Sequence, residues 1–124
     1  LEVSDRCAVN DAQDGTPDFS ALLSYGNESV MLDKLITETE KEMQAVKDAE
    51  GRKDLRELDD LTHHLRSSWE ILRADQPLRE LYGLLHEDGI PKDEALRHAV
   101  NAVLDKGTEI VRLAKEERRK YDNG

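Results

Sequence analysis

The amino-acid sequence predicts an all-α fold, an antiparallel four-helix bundle with a short additional N-terminal helix. Five amphipathic segments follow one another along the chain, each apolar on one face only, and short breaks join them. Aromatic residues make up 4% of the chain and turn residues do not recur at short intervals, which disfavours an all-β fold. A length of 124 residues with 37% hydrophobic residues suits a single core, so we expect one domain.

The N-terminal residues 1–15 are expected to form a disordered linker or arm, because polar residues and glycine follow one another there without a helical period. The helical domain is expected over residues 16–122. A start at Leu1, without an initiator methionine, suggests a piece of a longer protein, although N-terminal processing would give the same start. Cys7 is the one cysteine of the chain, which excludes an intrachain disulfide and suits a reducing compartment.

Start and stop signals place the first two helices. Thr16 can cap a short first helix with Pro17 in its first turn, and Gly26 can end it. Asn27 can cap a longer second helix that Gly51 closes. The predicted apolar face of this second helix consists of Leu32, Leu35, Ile36, Thr39, Met43 and Val46.

The remaining three helices fill the C-terminal two thirds of the chain. A third helix is predicted over about 52–74, residues 75–77 interrupt the chain, and a shorter fourth helix ends before the turn at 89–91. The long fifth helix ends in the basic run 115–120, and Gly107 inside it indicates a close helix crossing. The apolar stripe of the third helix is Leu55, Leu58, Leu61, Leu65, Trp69 and Leu72. That of the fifth is Ala95, Leu96, Ala99, Val100, Val103, Ile110, Val111 and Ala114.

Charge and apolar patterning narrow the classes of function. Lys and Arg number 18 against 28 Asp and Glu, and this net charge of −10 would repel phosphate backbones, so nucleic acid is not an expected partner. No apolar run reaches the roughly 20 residues of a membrane helix and no signal pattern opens the chain, so we expect a cytoplasmic fragment without membrane contact. No glycine-rich phosphate loop occurs, and ATP binding is therefore not expected.

The third helix carries the residues most suited to chemistry. At about 100° per residue, His63 falls almost opposite the apolar stripe and should be exposed, whereas His64 falls at its flank, where the ring can be partly packed. An exposed neutral imidazole is a competent nitrogen nucleophile. Arg66, three residues after His63 and on the same side, can hold the oxygens of a phosphoryl group. Asp59 and Glu70 lie on the same face of the helix as His63 and oppose this by repelling a dianion.

The stretch from His63 through Leu65-Arg66-Ser67-Ser68 resembles the phospho-acceptor motif of histidine-containing phosphotransfer (HPt) domains, commonly His-x-Leu/Ile-Lys/Arg-Gly-Ser/Ala. Such domains are attached to bacterial hybrid sensor histidine kinases. The resemblance extends over roughly residues 17–121, because the predicted order of a short helix before four longer ones is also typical of the family. Residues 19–23 and the acidic second helix are similar to the opening of these domains.

The resemblance implies a phosphorelay function. His63 would accept a phosphoryl group from the phosphoaspartate of a receiver domain and pass it to another receiver, and Arg66 would stabilise that group. The receiver would supply Mg²⁺, so no cofactor or metal is expected on this domain, which would be a monomeric carrier without kinase activity of its own. Ser67 stands where most members have glycine. The residues implied to contact the receiver are His64, Ser67, Ser68, Asp59 and Glu70.

Three alternatives stay open. With His64 as the acceptor, the basic residue would lie about 200° around the helix instead of roughly 60°, which favours His63. The dimerisation helix of a histidine kinase carries a similar stretch, but Ser68 stands where that helix normally has proline. The third alternative belongs to a different class: a non-catalytic helical interaction module, whose partner binding would survive replacement of His63 by Gln.

Other polar residues are interpreted structurally. Trp69 is expected in the core. Glu94 and His98 have the i, i+4 spacing of a metal pair, but no second pair accompanies them and no metal site is expected. His86 is interpreted as a favourable charge at the end of the fourth helix. The basic residues 118–120 are interpreted as a helix end, since no aromatic residues for base stacking lie among them.

Overall fold

The computed structural model describes residues 16–121, and the predicted arm at 1–15 lies outside them. The described chain is 77% helix without a strand, so the all-α prediction is confirmed. None of its helices combines the length and apolar content that crossing a membrane requires. The helices are α1 (Ser20–Leu23), α2 (Glu28–Gly51), α3 (Leu55–Ile71), α4 (Gln76–Leu85) and α5 (Asp93–Arg119).

The four longer helices surround one apolar core. Helix α2 contacts α3, α3 contacts α4, α4 contacts α5, and α5 returns to α2, while α1 packs on α2. Trp69 is fully buried, as predicted. Ala95, predicted on the apolar stripe of the fifth helix, is instead exposed because it lies in the first turn of α5, at the margin of the core. The other core residues are Val46, Ala49, Leu58, Leu65, Leu72, Ala74, Leu78, Leu81, Leu96, Ala99, Val100, Val103 and Ile110.

Helix α3 is shorter at both ends than predicted. Its N-cap is Asp54, whose Oδ1 accepts a hydrogen bond from the Glu57 backbone N–H at 3.1 Å. Its C-terminal end follows from Arg73, which adopts the left-handed conformation (φ 57°). The Ala74 N–H then donates to the Trp69 carbonyl at 2.8 Å, which satisfies a helix-end carbonyl in the manner of a Schellman turn.

The N-terminal caps differ from those predicted. Neither Thr16 nor Pro17 begins a helix; α1 is one turn, and the Asp18 carboxylate accepts hydrogen bonds from the Ser20 backbone N–H (2.9 Å) and hydroxyl (2.6 Å). These hydrogen bonds lower the pKa of Asp18. Asn27 occupies the N-cap position of α2 as predicted, but its left-handed backbone (φ 51°) leaves its side chain without a capping hydrogen bond.

Gly107 marks a close helix crossing, as its position in the sequence indicates. The residue is buried where α5 meets α2, and a Cβ atom at this position would lie 2.6 Å from Met43 Cγ. Two ion pairs join the same helices on one side of the crossing, toward the start of α2 and the end of α5. They are Asp33–Arg118 at 3.0 Å and Glu40–Lys115 at 3.3 Å.

Candidate functional site

The outward face of α3 carries His63, and the prediction that its side chain is exposed is confirmed. The opposite face of the helix packs into the core through Leu58, Leu65 and Trp69. Thr62 beside His63 is also buried, and its hydroxyl donates to the Leu58 carbonyl at 2.7 Å. A helix packed along one side therefore presents His63 to solvent from a fixed backbone.

The imidazole of His63 makes no hydrogen bond and no ion pair with any described residue. Its ring lies parallel to the ring of Tyr82 on α4, with the two planes within 8° of each other and the centroids 6.5 Å apart. Neither ring nitrogen is thus occupied by a neighbour among residues 16–121. A neutral imidazole in this state keeps a nitrogen lone pair available for attack.

His64 points to a different neighbour. Its side chain is 73% exposed, so the expectation of partial packing is wrong. The ring lies at the surface beside α2, where its Nε2 is 2.7 Å from Oε2 of Glu42, a half-buried carboxyl. Burial raises the pKa of Glu42, and the charge of His64 opposes this shift. One nitrogen of His64 is therefore paired with a carboxylate, whereas neither nitrogen of His63 has a partner among the described residues.

Arg66 lies in the half-buried seam between α3 and α4. Its Nε is 3.1 Å from Glu70 Oε2, and its Cζ is 5.7 Å from the centroid of the Tyr82 ring. Both members of the Arg66–Glu70 pair are substantially exposed, so the pair is a weak one. The guanidinium is thus near His63 on the helix surface and is only loosely engaged.

Sequence reasoning missed two residues of α4 beside this face. The His86 Nε2 lies 2.8 Å from Asp59 Oδ1, and the His86 ring packs on Tyr82 with centroids 4.1 Å apart. His86 is the C-cap of α4, yet its partner is a carboxylate of α3. The i, i+4 spacing of Tyr82 and His86 is visible in the sequence and matches that of Asp59 and His63. The sequence does not show, however, that the helices carrying these two pairs are neighbours.

The predicted site residues divide between two sides of α3. Asp59, Arg66 and Glu70 accompany His63 along the side that faces α4. Ser67 is exposed one turn after His63 and remains on the same face. His64 lies on the side of α3 that faces α2, and the exposed Ser68 follows it by one turn. These two residues are therefore on a different side of α3 from the one that faces Tyr82.

The described residues contain no group of three or more His, Cys, Asp and Glu side chains arranged to hold a metal ion. Glu94 and His98 are both exposed on α5. No Lys or Arg follows His98 within one turn, so it lacks the neighbouring cation that His63 has in Arg66.

Comparison with known proteins gives no further guide to the site. No protein-family model, no curated protein and no solved structure matches the chain. The features of the chain that indicate a function are therefore the chemistry of the α3 face and the short motif around His63.

Proposed function

We propose that this domain is a phosphoryl carrier of a cytoplasmic phosphorelay, with His63 as the residue that accepts and donates the phosphoryl group. The observation that supports this most strongly is the state of its imidazole, which is exposed and makes no hydrogen bond or ion pair with the described residues. His64 and His86, the other histidines near this face, are each paired with a carboxylate. The similarity of the surrounding motif to HPt domains supports the same residue.

The proposed reaction is transfer between carboxylate and imidazole. A nitrogen of neutral His63 attacks the phosphorus of a receiver's phosphoaspartate, the N–P bond forms as the acyl O–P bond breaks, and the aspartate carboxylate leaves. The phosphoimidazole releases the proton of its other nitrogen to solvent. Transfer to a second receiver reverses these bonds. Arg66 can turn from Glu70 to the phosphoryl oxygens, because exposed ion pairs are held by about 1 kcal/mol or less.

The receiver is proposed to bring Mg²⁺ and its own lysine, while this domain contributes the nucleophile, a cation and a docking face. That face would comprise the exposed side chains of α3 around His63, including Ser67 where the related motif has glycine. A hydroxymethyl group one turn from the acceptor narrows the room for the receiver, so the partner is expected to have a complementary depression there. We propose a hybrid histidine kinase as the parent protein.

An antiparallel four-helix bundle is the proposed arrangement of α2 to α5. The cyclic order of helix contacts supports it. The order of the ion pairs between α2 and α5 also supports it. Asp33 pairs with Arg118, Glu40 pairs with Lys115, and Lys53, just beyond the end of α2, pairs with Asp93 at 3.8 Å. As the residue numbers rise along α2, those of the partners fall along α5, as in an antiparallel pair. This arrangement exposes the middle of α3, where His63 lies.

The test is phosphoryl transfer to wild type, His63→Gln and the matched control His64→Gln. Each purified domain is incubated with Mg²⁺ and a phosphorylated receiver from the same source, and acid-labile, base-stable phosphate on the domain is followed. We expect label on wild type and His64→Gln and none on His63→Gln. Label lost only from His64→Gln would assign the acceptor to that residue. A folded wild type that no receiver labels would contradict the proposal and favour a non-catalytic interaction module.

A further inference from the structure

A row of side chains crosses from α3 to α4 beside His63. It begins at Asp59, whose carboxylate lies 2.8 Å from the His86 ring nitrogen. It continues through the His86 ring to Tyr82, with the centroids 4.1 Å apart. Tyr82 then stands parallel to His63, at a centroid distance within the range of favourable aromatic pairs. We call Asp59, His86 and Tyr82 the supporting row.

Tyr82 is the member of the supporting row that faces His63. Its side chain is half-buried, and its hydroxyl makes no hydrogen bond with any described residue. Tyr82 therefore interacts with its neighbours through its ring. The His86 ring packs against it, the His63 ring lies parallel to it, and the Arg66 guanidinium lies 5.7 Å from its centroid. The His86 ring, at a centroid distance of 4.1 Å, limits the movement of the Tyr82 side chain.

The orientation of His63 matters for in-line attack. An exposed side chain on a helix exchanges between rotamers, and only those that direct a nitrogen at the incoming phosphorus are productive. No hydrogen bond to a described residue fixes the imidazole. Tyr82 is the neighbour in a position to limit it, because its ring occupies the space beside His63 on the α4 side.

We infer that Tyr82 is a positioning residue for His63: its ring, packed against the His86 ring, narrows the orientations of the imidazole and so speeds phosphoryl transfer. This inference rests on the proposed function. The hydroxyl has no part in the effect, so a phenylalanine serves equally well. Aromatic pairs of this kind correspond to about a 2- to 10-fold change in rate.

The kinetic test compares Tyr82→Leu, Tyr82→Phe and the matched control Tyr25→Leu, which replaces a tyrosine that is 71% exposed. With saturating phosphorylated receiver, Tyr82→Leu should lower the maximal transfer rate about 2- to 10-fold without a matching rise in KM, while the other two variants stay at the wild-type rate. A rise in KM alone would make Tyr82 a docking residue and overturn the inference. So would equal losses in Tyr82→Leu and Tyr82→Phe.

A second readout needs no receiver. Three-bond couplings of the His63 side chain, measured by NMR, should show one dominant rotamer in wild type and Tyr82→Phe and rotamer averaging in Tyr82→Leu. His86→Ala, a change at an exposed residue, should shift the couplings in the same direction by loosening Tyr82 even if Tyr82→Leu does not fold. Averaged couplings already in the wild type would overturn the inference. If wild type shows one rotamer but no receiver labels it, the proposed function fails while the orientation by Tyr82 stands.

Discussion

Among single residues, Glu42 has a clear consequence for pH-dependent stability. Burial raises the pKa of its carboxyl, and the charge of His64 partly offsets this rise. Two smaller effects act in opposite directions: the charge of Glu38 raises the pKa and that of Lys41 lowers it. A carboxyl whose pKa is raised by folding stabilises the fold below its unfolded pKa and loses this contribution as pH rises through the folded pKa. The ionised Glu42 therefore costs folding free energy near neutral pH.

Glu42→Gln should accordingly be more stable than wild type at about pH 7, and the difference should shrink toward about pH 4, where the carboxyl is protonated. The measurement is urea unfolding at both pH values. Glu40→Gln serves as the control, because Glu40 is an exposed residue of the same helix, and it should change stability by about 0.5 kcal/mol or less. A Glu42→Gln variant that is less stable at neutral pH would mean that the contact with His64 outweighs the burial.

At the scale of the helix, the start of α3 decides how firmly the segment that carries His63 is held. Asp54 accepts the Glu57 N–H, and its loss should cost about 1 kcal/mol. Asp54→Ala is therefore expected to lower the free energy of unfolding by that amount in urea titrations, whereas Asp54→Ser, which keeps a capping oxygen, should retain most of it. An unchanged midpoint in Asp54→Ala would show that the hydrogen bond contributes nothing to the fold.

The helix ends also show where sequence reasoning succeeds and where it does not. The apolar period predicts that α3 exists and that His63 faces outward, since burial of one stripe requires exposure of the other side. The predicted start of α3 is too early because the apolar period does not mark the helix end, whereas the spacing of Asp54 and Glu57 is a capping signal. The left-handed Arg73 carries no such signal, because glycine is the residue that usually marks this position at a helix end. The contacts of Tyr82 and His86 depend on which helices are neighbours, and periodicity within one helix does not contain that information.

For the whole molecule, the approach of α2 to α5 depends on Gly107. An alanine there would gain up to about 1 kcal/mol of helix propensity. Its Cβ would overlap the Met43 side chain, and such overpacking costs about 1–3 kcal/mol. Gly107→Ala is therefore expected to be destabilising overall. Gly83→Ala is the matched control, because no atom outside the neighbouring residues and backbone of α4 lies within 4 Å of the added Cβ, and it should stabilise the fold.

The cause can be isolated with a double-mutant cycle. If the loss in Gly107→Ala comes from Met43, shortening that side chain by Met43→Ala should make the added methyl group tolerable, and the two changes together should cost less than their sum. Chemical unfolding of the four proteins measures this coupling. Strict additivity, or a Gly107→Ala variant as stable as Gly83→Ala, would show that Met43 shifts freely and that the crossing tolerates a wider separation. A favourable coupling would mean that Gly107 sets the distance between α2 and α5, although it lies on a different helix from His63.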